Sequence, residues 1–460
     1  MSNLEYYWRY CLLFFRQKWK YILFFASLVF FIFVYRAAVD VNSGLFSTPA
    51  DDDVYKVVFD AGSTGTRVHV FKFNGADSFV SSFRKEGVPN LDLLDILLFE
   101  QIEGGLSSFS QNPSMCRIGI LSLLNKAKLV IPESVWDSTE VILFATAGLR
   151  LLPVQTANAI LEEVRDVLTE SNFLISKIDT IDGKLEAKLI YVMADFVFKR
   201  SSLAIVDLGG GSVQLAYRVV GVQPVVHDEV SDFYLEGTTK NKMLYLHSWL
   251  GFGLVAFRMK ALEAIAGPHP CVPEWTPSGT QYTYGDKRVD VFARKSTNEG
   301  TTSCLTLLKS ALKSNEPNGV CKQLTIVSTE SQMCGLNGVW LGPNETGSIY
   351  EWRLFSYIYD LALAEGLIDK GKVEGKLTAN DFIKAAYIHC DGGATSRIEW
   401  WKCIDLMYVG VLLIDGFKLD PNYPLMVTKK LKYINNHGNE IHLEAAWPLG
   451  AAISSIKQEL

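Results

Sequence analysis

Two short stretches of the chain, VVFDAGSTGTRVHVFKF (Val57–Phe73) and AIVDLGGGSVQLAY (Ala204–Tyr217), follow the same plan. In each, an apolar run ends in an acid, small residues follow, and alternating apolar positions then resume. Apolar runs of this length are typical of buried strands, and glycine permits a tight turn and the close approach of a ligand to the main chain. The repeated pattern predicts two strand–turn–strand units with Asp60 and Asp207 at equivalent positions.

Each of these units can bind phosphate together with a metal ion. Consecutive main-chain N–H groups in such a turn form a concave surface that favours anions. A carboxylate repels phosphate, but it can hold a hard divalent cation that bridges phosphate oxygens. A single hairpin of this kind is most often an ordinary glycine turn, whereas two copies predict a cleft that grips a polyphosphate from both sides. The chain contains neither GxxxxGK[ST] nor GxGxxG, so these are not the common nucleotide-binding loops.

The composition is that of a large globular protein. Of 460 residues, 48% are hydrophobic, and the length predicts two or three domains. The net charge of −6 and the lack of a basic stripe beyond the first twenty residues argue against a nucleic-acid-binding surface. The run VILFATAGLR (Val141–Arg150) predicts a strand leading into a loop, and apolar periodicity predicts helices over 157–171 and 183–198. This alternation predicts α/β lobes whose sheets are covered by helices.

The N-terminal region predicts a membrane anchor. YILFFASLVFFIFVY (Tyr21–Tyr35) carries no charge and can extend to residue 39 if Arg36 snorkels. Basic residues before it and acidic residues after it place the N-terminus in the cytoplasm and the rest outside or in a lumen. A cleaved signal peptide is the alternative. We therefore predict a type II membrane protein with three N-terminal parts: a cytoplasmic tail (1–20), a signal-anchor helix (21–39) and a stem (40–53).

The cysteines fit this topology. Seven of the eight follow the predicted span, where disulfides are stable, and six of these lie in the second half of the chain. Six cysteines allow 15 connectivities, but pairing of neighbours leaves Cys116 free and predicts three bonds: Cys271–Cys304, Cys321–Cys334 and Cys390–Cys403. A zinc site is the other interpretation, and no CxxC or Cys/His cluster supports it. The sequon at Asn344 indicates a glycosylated loop.

Four motifs carry a family resemblance. The chain resembles the nucleoside triphosphate diphosphohydrolases, a family of apyrases and of guanosine and uridine diphosphatases of the secretory pathway. The motifs resemble four of the five apyrase conserved regions: FDAGSTGTR (59–67), ATAGLR (145–150), VDLGGGSVQLAY (206–217) and AAWPLGAAI (445–453). Between the motifs, LYLHSWLGFGL (Leu244–Leu254) and CIDLMYVGVLLIDGF (Cys403–Phe417) resemble the plant-type apyrases in particular.

The resemblance, which covers residues 54–458, implies a fold. That fold is α/β, with two RNase-H-like lobes of the actin/hexokinase/heat-shock-70 superfamily and the active site in the cleft between them. Residues 54–182 together with 437–460 would form lobe I, and residues 183–436 would form lobe II.

The third conserved region departs from the family pattern, which is approximately DGxxEGxYxWxxxNY. This chain reads DGKLEAKLIYVMADF (Asp182–Phe196) and keeps the acid as Glu186, which the resemblance implies is the general base. The other positions have changed to Ala187, Leu189, Tyr191, Asp195 and Phe196. Such changes resemble packing on a helix face, so they place the efficiency of catalysis in doubt more than catalysis itself.

The resemblance also implies a role for each motif residue. Asp60 and Asp207 would hold Ca²⁺ or Mg²⁺ through its water shell, near Trp447, which can equally be a core residue between the lobes. Ser212 and Gln214 would fix the water that Glu186 deprotonates. The implied phosphate-binding residues are Gly62, Ser63, Thr64, Gly65, Thr66, Arg67, Thr146, Arg150, Gly209, Gly210 and Gly211. Arg150 can instead brace its loop. Candidates for stacking on the base are Tyr357, Tyr359 and Tyr408.

The expected function is hydrolysis of nucleoside tri- or diphosphates of the ATP, ADP, GDP and UDP class, dependent on Ca²⁺ or Mg²⁺. The single predicted span resembles that of secretory-pathway diphosphatases and favours the lumen of the Golgi or ER, with the cell exterior as the alternative. Two other functions stay open: a catalytically weakened nucleotide-binding relative, and an actin-like phosphotransferase. The retained Glu186 and Gln214 and the lumenal cysteines favour the hydrolase over the phosphotransferase.

Overall fold

The computed structural model describes residues 53–74, 91–199, 202–219, 230–233, 242–285, 287–295, 300–313, 334–342, 349, 351–390 and 399–457. The predicted tail and membrane span, nearly all of the stem, Cys321 and Asn344 lie outside these residues. Within the described ranges, no helix combines the length and the apolar character that crossing a membrane requires.

Lobe I is built on a five-stranded mixed sheet with the order β3-β2-β1-β4-β5. Its first three strands are antiparallel, and β4 and β5 continue parallel to β1. The strands are β1 (Val54–Ala61), β2 (Gly65–Phe73), β3 (Leu93–Glu103), β4 (Glu140–Ala145) and β5 (Leu174–Thr180). The first strand–turn–strand unit predicted from the sequence is the hairpin β1–β2.

Lobe II is built on a seven-stranded sheet with the order β13-β14-β12-β6-β7-β9-β8. Its strands are β6 (Leu203–Leu208), β7 (Ser212–Val219), β8 (Val230–Phe233), β9 (Lys242–Leu250), β12 (Glu351–Ser356), β13 (Glu374–Leu377) and β14 (Leu425–Thr428). The second predicted unit is the hairpin β6–β7. Strands β9, β7, β6, β12 and β14 repeat the order and directions of β3, β2, β1, β4 and β5. The expectation of two α/β lobes is therefore confirmed.

Two small hairpins and the helices complete the described elements. The hairpins are β10 (Gln281–Tyr284) with β11 (Lys287–Asp290), and β15 (Lys430–Ile434) with β16 (Glu440–Glu444). The helices are α1 (Cys116–Val130), α2 (Ala147–Arg150), α3 (Val154–Thr169), α4 (Gly183–Phe198), α5 (Leu254–Glu263), α6 (Gly300–Ala311), α7 (Tyr357–Ala364), α8 (Ala379–Cys390), α9 (Lys402–Val411) and α10 (Pro448–Ile456). The segment predicted as a loop after β4 contains the short helix α2. The helix predicted over 157–171 begins and ends earlier, as α3.

A shared core joins the two lobes through α4 and α10. Apolar residues of both sheets pack around these helices, which cross at Gly450, where there is no room for a Cβ beside the carbonyl oxygen of Leu189. Trp447 belongs to this core, with its ring centroid 5.9 Å from that of Phe144. The predicted change of lobe at residue 183 falls between β5 and β6, while the domain boundaries themselves stay a prediction.

Two disulfides lie side by side in lobe II. Cys271 is bonded to Cys304 and Cys390 to Cys403, which are two of the three pairs of neighbours. The Sγ atoms of Cys304 and Cys403 are 3.9 Å apart, and because they are oxidised this cluster is not a zinc site. Cys334 is also disulfide-bonded, while its predicted partner lies outside the described residues. Cys116 is a buried free thiol, as predicted.

Candidate active site

The two acids of the repeated pattern face one cavity between the lobes. Asp60 lies at the end of β1 and Asp207 at the end of β6, and each is only 6% exposed. Both line a cleft of about 680 Å³ together with the glycine loops that follow them. The folding of two similar hairpins against each other therefore brings together residues far apart in the sequence.

Each acid starts a row of cross-strand neighbours. In lobe I the row is Asp60, Arg67 and Gln101 on β1, β2 and β3. In lobe II the row is Asp207, Gln214 and Ser248 on β6, β7 and β9. Directly opposed side chains in antiparallel strands lie close enough to interact. The sheet register thus places a polar partner beside each acid.

The loops after the two acids have the same hydrogen-bonded turn. The N–H of Gly62 donates to the Gly65 carbonyl at 3.0 Å, and the N–H of Gly209 donates to the Ser212 carbonyl at 3.0 Å. A Cβ on Gly210 would lie 2.6 Å from Ser63 Oγ, so the two loops are in contact. Within the described part of the chain, no main-chain carbonyl accepts from the N–H groups of Ser63, Thr64, Gly210 and Gly211. These groups are available to a bound anion.

Helix α5 holds the second loop from behind. The N–H groups of Leu254 and Val255 donate to the carbonyls of Gly209 and Gly210 at 2.9 and 3.0 Å. The first N–H groups of a helix have no partner within the helix, so the loop satisfies them. The carbonyl oxygens that would repel a phosphate are thereby bound to the helix.

Glu186 lies in the first turn of α4 and lines the same cleft. The helix begins with Asp182 as N-cap, whose Oδ1 accepts from the Leu185 N–H at 2.7 Å. The Oε2 atom of Glu186 accepts from Arg150 Nη2 at 2.8 Å and from Gln214 Nε2 at 3.1 Å. With 6% exposure, the carboxylate is buried and held in one orientation.

Two serines complete the network around Glu186. The Nε2 atom of Gln214 lies 2.7 Å from Ser212 Oγ and 2.8 Å from Ser248 Oγ, and Arg150 Nη2 lies 3.1 Å from Ser212 Oγ. An amide has only two N–H bonds, so the three oxygens around Gln214 compete for them. Gly183 permits this arrangement, because a Cβ there would overlap the Ser248 side chain.

Burial raises the pKa of all three carboxyl groups in the cleft. The pKa of Glu186 rises to about 7, because burial and the charges of Asp207 and Asp60 outweigh the opposing effect of Arg150. The pKa of Asp207 rises to about 6, against a hydrogen bond from Ser356. Burial also raises the pKa of Asp60 in spite of its ion pair with Arg67. A carboxylate with a pKa near neutrality is suited to general base catalysis.

The acids fit a hard divalent cation. Asp207 Oδ1 is buried and has no hydrogen-bond partner among the described residues. Asp60 accepts from Arg67 Nη1 at 3.2 Å and from the Trp447 indole. Buried carboxylates that face a cleft and lack enough cationic partners favour bound Ca²⁺ or Mg²⁺ with retained waters. The two carboxylates therefore fit a hard divalent cation, and Trp447 is both a core residue and a neighbour of Asp60.

A family model described as GDA1/CD39 (nucleoside phosphatase) matches residues 47–459. The chain belongs to this family. It is 34% identical to "Probable apyrase 1" of Oryza sativa subsp. japonica over 87% of this chain and 81% of that protein. It is 32% identical to "Ectonucleoside triphosphate diphosphohydrolase 5" of Bos taurus over 86% of each chain. It is 29% identical to "Nucleoside-diphosphatase uda-1" of Caenorhabditis elegans over 88% of this chain and 82% of that one.

A solved structure shares the GDA1/CD39 chain's fold. The crystal structure of nucleoside triphosphate hydrolases from Neospora caninum superposes with a TM-score of 0.51 and 13% identity, over 94% of this chain and 98% of that one. At this identity the likeness concerns the fold alone. The resemblance to the apyrase family is confirmed by the family match, and with it the assignment to nucleotide phosphohydrolases.

Most of the residues predicted to bind phosphate line the cleft, with three exceptions. Those on the cleft wall are Gly62, Ser63, Thr64, Arg67, Thr146, Gly209, Gly210 and Gly211. Gly65 and Thr66, the first residues of β2, do not line it, and the Thr66 hydroxyl faces the Gly104 carbonyl. Arg150 is turned to Glu186 and to the Ile181 carbonyl, so its guanidinium holds the Glu186 carboxylate. Arg67 reaches the cleft but is already paired with Asp60 and Gln101.

Three of the five altered positions of the third motif are buried packing positions. Ala187, Leu189 and Tyr191 are all at most 1% exposed and belong to the core that joins the lobes. Leu189 lies against α10 at Gly450. The changes thus affect the interior of α4, and the hydrogen bonds of Glu186 are intact.

Only one of the three candidate base-binding tyrosines reaches the cleft. Tyr357 lines it and donates from Oη to Thr64 Oγ1 at 3.1 Å. Tyr359 is 5% exposed and donates to the Lys372 carbonyl, and Tyr408 is fully buried and donates to the Phe252 carbonyl. Tyr359 and Tyr408 therefore do not line this cleft, because helical spacing does not distinguish a core ring from a ring at the cleft surface.

Three further residues of the site belong to none of the sequence motifs, so sequence analysis missed them. Ser356, at the end of β12, hydrogen-bonds to Asp207 and has φ 60° and ψ −127°, a strained conformation for a residue with a Cβ. Ser248 supports Gln214 from β9. His69 lines the cleft, and burial lowers its pKa to about 3, so the imidazole is neutral. The position of Ser356 at a strand end before a helix was the one available signal.

Proposed function

We propose that this chain hydrolyses the terminal phosphoanhydride bond of nucleoside di- and triphosphates in a reaction that needs Ca²⁺ or Mg²⁺, with Glu186 as general base. The observation that carries the proposal is the buried Glu186 carboxylate. It is oriented by Arg150 and Gln214 within one cleft that also contains both acid–glycine loops. Family membership supports the reaction class.

The chain's own residues can activate and aim a water molecule. Glu186 would take a proton from a water held by Ser212 and Gln214, and the water oxygen would then bond to the terminal phosphorus as the bond to the bridging oxygen breaks. Arg150 would keep the carboxylate in position. The free N–H groups of the two loops would stabilise the charge on the phosphoryl oxygens. A cation near Asp60 and Asp207, when bound, would offset the charge of the phosphate oxygens.

A phosphate-release assay on Glu186→Gln tests the proposal. Removing a general base typically lowers the rate about 10²- to 10⁴-fold, so we expect kcat to fall by that factor while nucleotide binding persists. Glu163→Gln is the matched control, because Glu163 of α3 pairs with Arg117 of α1, and neither residue lines the cleft. Excess chelator should stop the wild-type reaction, and added Ca²⁺ or Mg²⁺ should restore it. Near-normal hydrolysis by Glu186→Gln would refute the assignment.

The two alternatives predict other outcomes of the same assay. A nucleotide-binding relative without activity would bind ADP and release no phosphate. An actin-like phosphotransferase would transfer phosphate to an acceptor in place of water. The intact hydrogen bonds around Glu186, Ser212 and Gln214 favour the hydrolase.

We also propose a location outside the cytoplasm, with the chain anchored by the predicted span at 21–39. The buried disulfides Cys271–Cys304 and Cys390–Cys403 support an oxidising compartment such as the Golgi or ER lumen or the cell exterior. In sealed early-secretory vesicles the activity should be protected from added protease. Activity in the cytosolic fraction would contradict the proposed location.

A further inference from the structure

A second cavity lies between the lobes, on the other side of the phosphate loops from the cleft. Its volume is about 270 Å³, and both lobes contribute to its wall: Leu151 and Leu152 from lobe I, and Met259, Lys260 and Tyr284 from lobe II. None of these residues lines the cleft that contains Glu186. The cavity is thus a separate binding space.

The wall combines apolar surface with one unbalanced positive charge. Lys260 Nζ lies 4.0 Å from the centre of the Phe252 ring, and no carboxylate of the described residues lies within ion-pair distance of it. The other charges at the rim, Lys287 and Glu263, neutralise each other at 3.3 Å. Burial lowers the pKa of Lys260, as expected for a cation without an anionic partner.

The cavity also touches both phosphate loops. Gly148 belongs to its wall, and a Cβ there would lie 2.9 Å from the Cα of Ser63. The hydroxyl of Tyr284 would lie 2.8 Å from a Cβ on Gly211. Movement of the loops and movement of the cavity wall are therefore mechanically linked.

We propose that this interlobe cavity binds a small aromatic carboxylate, with its carboxylate on Lys260 and its ring between Leu151, Leu152 and Met259. An ion pair away from bulk water is stronger than one at the surface, and ligand sites combine mostly apolar walls with few polar groups. Inorganic phosphate does not fit this chemistry, because it would leave the apolar wall without a partner. The ligand class therefore differs from that of the cleft.

Occupancy of the cavity would slow turnover. The loops of the two lobes are in contact at Ser63 and Gly210, so a relative movement of the lobes changes the space around the terminal phosphate. A ligand that contacts both lobes behind these loops would restrict this movement during turnover without blocking nucleotide binding, and such a coupling acts through kcat. This regulatory effect rests on the proposed function, whereas the binding itself does not.

Calorimetric titration of the full-length chain with 2-naphthoate and with its neutral analogue 2-naphthamide tests the binding. We expect one naphthoate per chain, at least about tenfold tighter than the amide and not displaced by ADP with Ca²⁺. Lys260→Met should weaken naphthoate binding about tenfold or more, the loss of one ion pair away from water. Lys128→Met is the matched control, because Lys128 also lies over an aromatic ring, at 4.7 Å from that of Trp136 in lobe I. The Lys128→Met variant should bind naphthoate with the affinity of the wild type.

Leu151→Glu and Leu151→Gln provide a second pair of variants at a position that is 43% exposed and therefore tolerant. The glutamate should abolish naphthoate binding and the glutamine should retain it. Equal affinity for naphthoate and naphthamide, unchanged binding by Lys260→Met, or displacement by ADP would overturn the site.

In kinetic assays naphthoate should lower kcat and leave KM unchanged; bound naphthoate without this effect would refute the regulatory part. A chain that bound naphthoate but hydrolysed nothing would refute the proposed function alone.

Discussion

At the scale of single residues, the candidate site is a set of buried polar groups that satisfy one another around Glu186. Arg150 and Gln214 both donate to one oxygen of this carboxylate, and the serines on either side fix the amide. Leaving a buried polar group without a partner costs more than a typical hydrogen bond contributes. Each member therefore affects the orientation of the base, including Ser248, which contacts the base only through Gln214.

Ser248→Ala should lower kcat about 2- to 10-fold, the loss expected for one hydrogen bond, with little change in KM. The reason is that the amide of Gln214 would lose one of its three oxygen neighbours and orient the water less well. Steady-state kinetics of phosphate release measures both constants. Ser310→Ala, at a helix surface in lobe II, is the control and should behave as the wild type does. A change confined to KM would mean that Ser248 contributes to substrate binding and not to the base.

The pH dependence of the reaction should report the raised pKa of Glu186. A base must be deprotonated, so kcat/KM should fall about tenfold per pH unit below the pKa, which is about 7 in the absence of a cation. The charges of Asp60 and Asp207 contribute to this value, so a higher cation concentration should move the acid limb to lower pH. Measuring kcat/KM from pH 5 to 8 at several Ca²⁺ concentrations checks both statements. A profile that stays flat down to pH 5 would contradict the role of Glu186.

At the scale of elements, two hairpins with one turn geometry form the proposed phosphate site. The turn after β1 and the turn after β6 both close with a hydrogen bond between their first and last residues, at 3.0 Å in each case. Glycine is required in the second turn because Ser63 and Thr64 of the first turn occupy the space beside it. The contact between the hairpins, and not only the sequence of each, shapes the loops.

Gly210→Ala should impair hydrolysis far more than Gly209→Ala. The new Cβ at position 210 would lie 2.6 Å from Ser63 Oγ, whereas at position 209 the nearest neighbour is the Ser212 carbonyl at 3.3 Å. We expect a loss of at least about tenfold in kcat/KM for Gly210→Ala, equivalent to about 1.4 kcal/mol of transition-state stabilisation. Kinetics of the two variants side by side provides the comparison. Equal activities would show that the loops separate freely.

At the scale of the whole molecule, the cleft concentrates negative charge that folding alone does not neutralise. The pKa values of Glu186 and Asp207 are raised in the folded state, so the folded chain binds more protons than the unfolded chain between about pH 4 and 7. Stability contributed by these groups is therefore lost as pH rises through that range. A cation bound between the lobes would restore it by mass action.

In chelator, the melting temperature of Asp207→Asn should rise relative to wild type as the pH increases from 5 to 8. The substitution removes a buried charge that becomes increasingly costly as Asp207 ionises, with its pKa near 6. Calcium should raise the melting temperature of wild type at pH 8 and have a smaller effect on Asp207→Asn. Differential scanning calorimetry measures both differences, with Glu163→Gln as a surface control. An equal calcium effect on all three proteins would place the cation elsewhere.

The sequence by itself determined the repeated acid–glycine hairpins, the family and the helix that carries Glu186; pairing of neighbouring cysteines correctly predicted two of the disulfides. These features depend on local chemistry: the period of apolar residues, glycine at turns, and an N-cap at Asp182 that starts a helix. The sequence of α4 also indicated that most of its changed positions would be packing positions, because they share a helix with the core residues.

Only the tertiary structure decided which residues meet across the cleft. Arg150 contacts Glu186 and Ser212 because α2, α4 and the start of β7 converge there, a relation that spacing along the chain does not contain. Tyr357 reaches the cleft while Tyr408 lies in the core, although both are helical aromatics. Ser356 joins the site because β12 ends beside β6. Such contacts depend on how separate elements pack, so they follow from the fold and not from any local pattern.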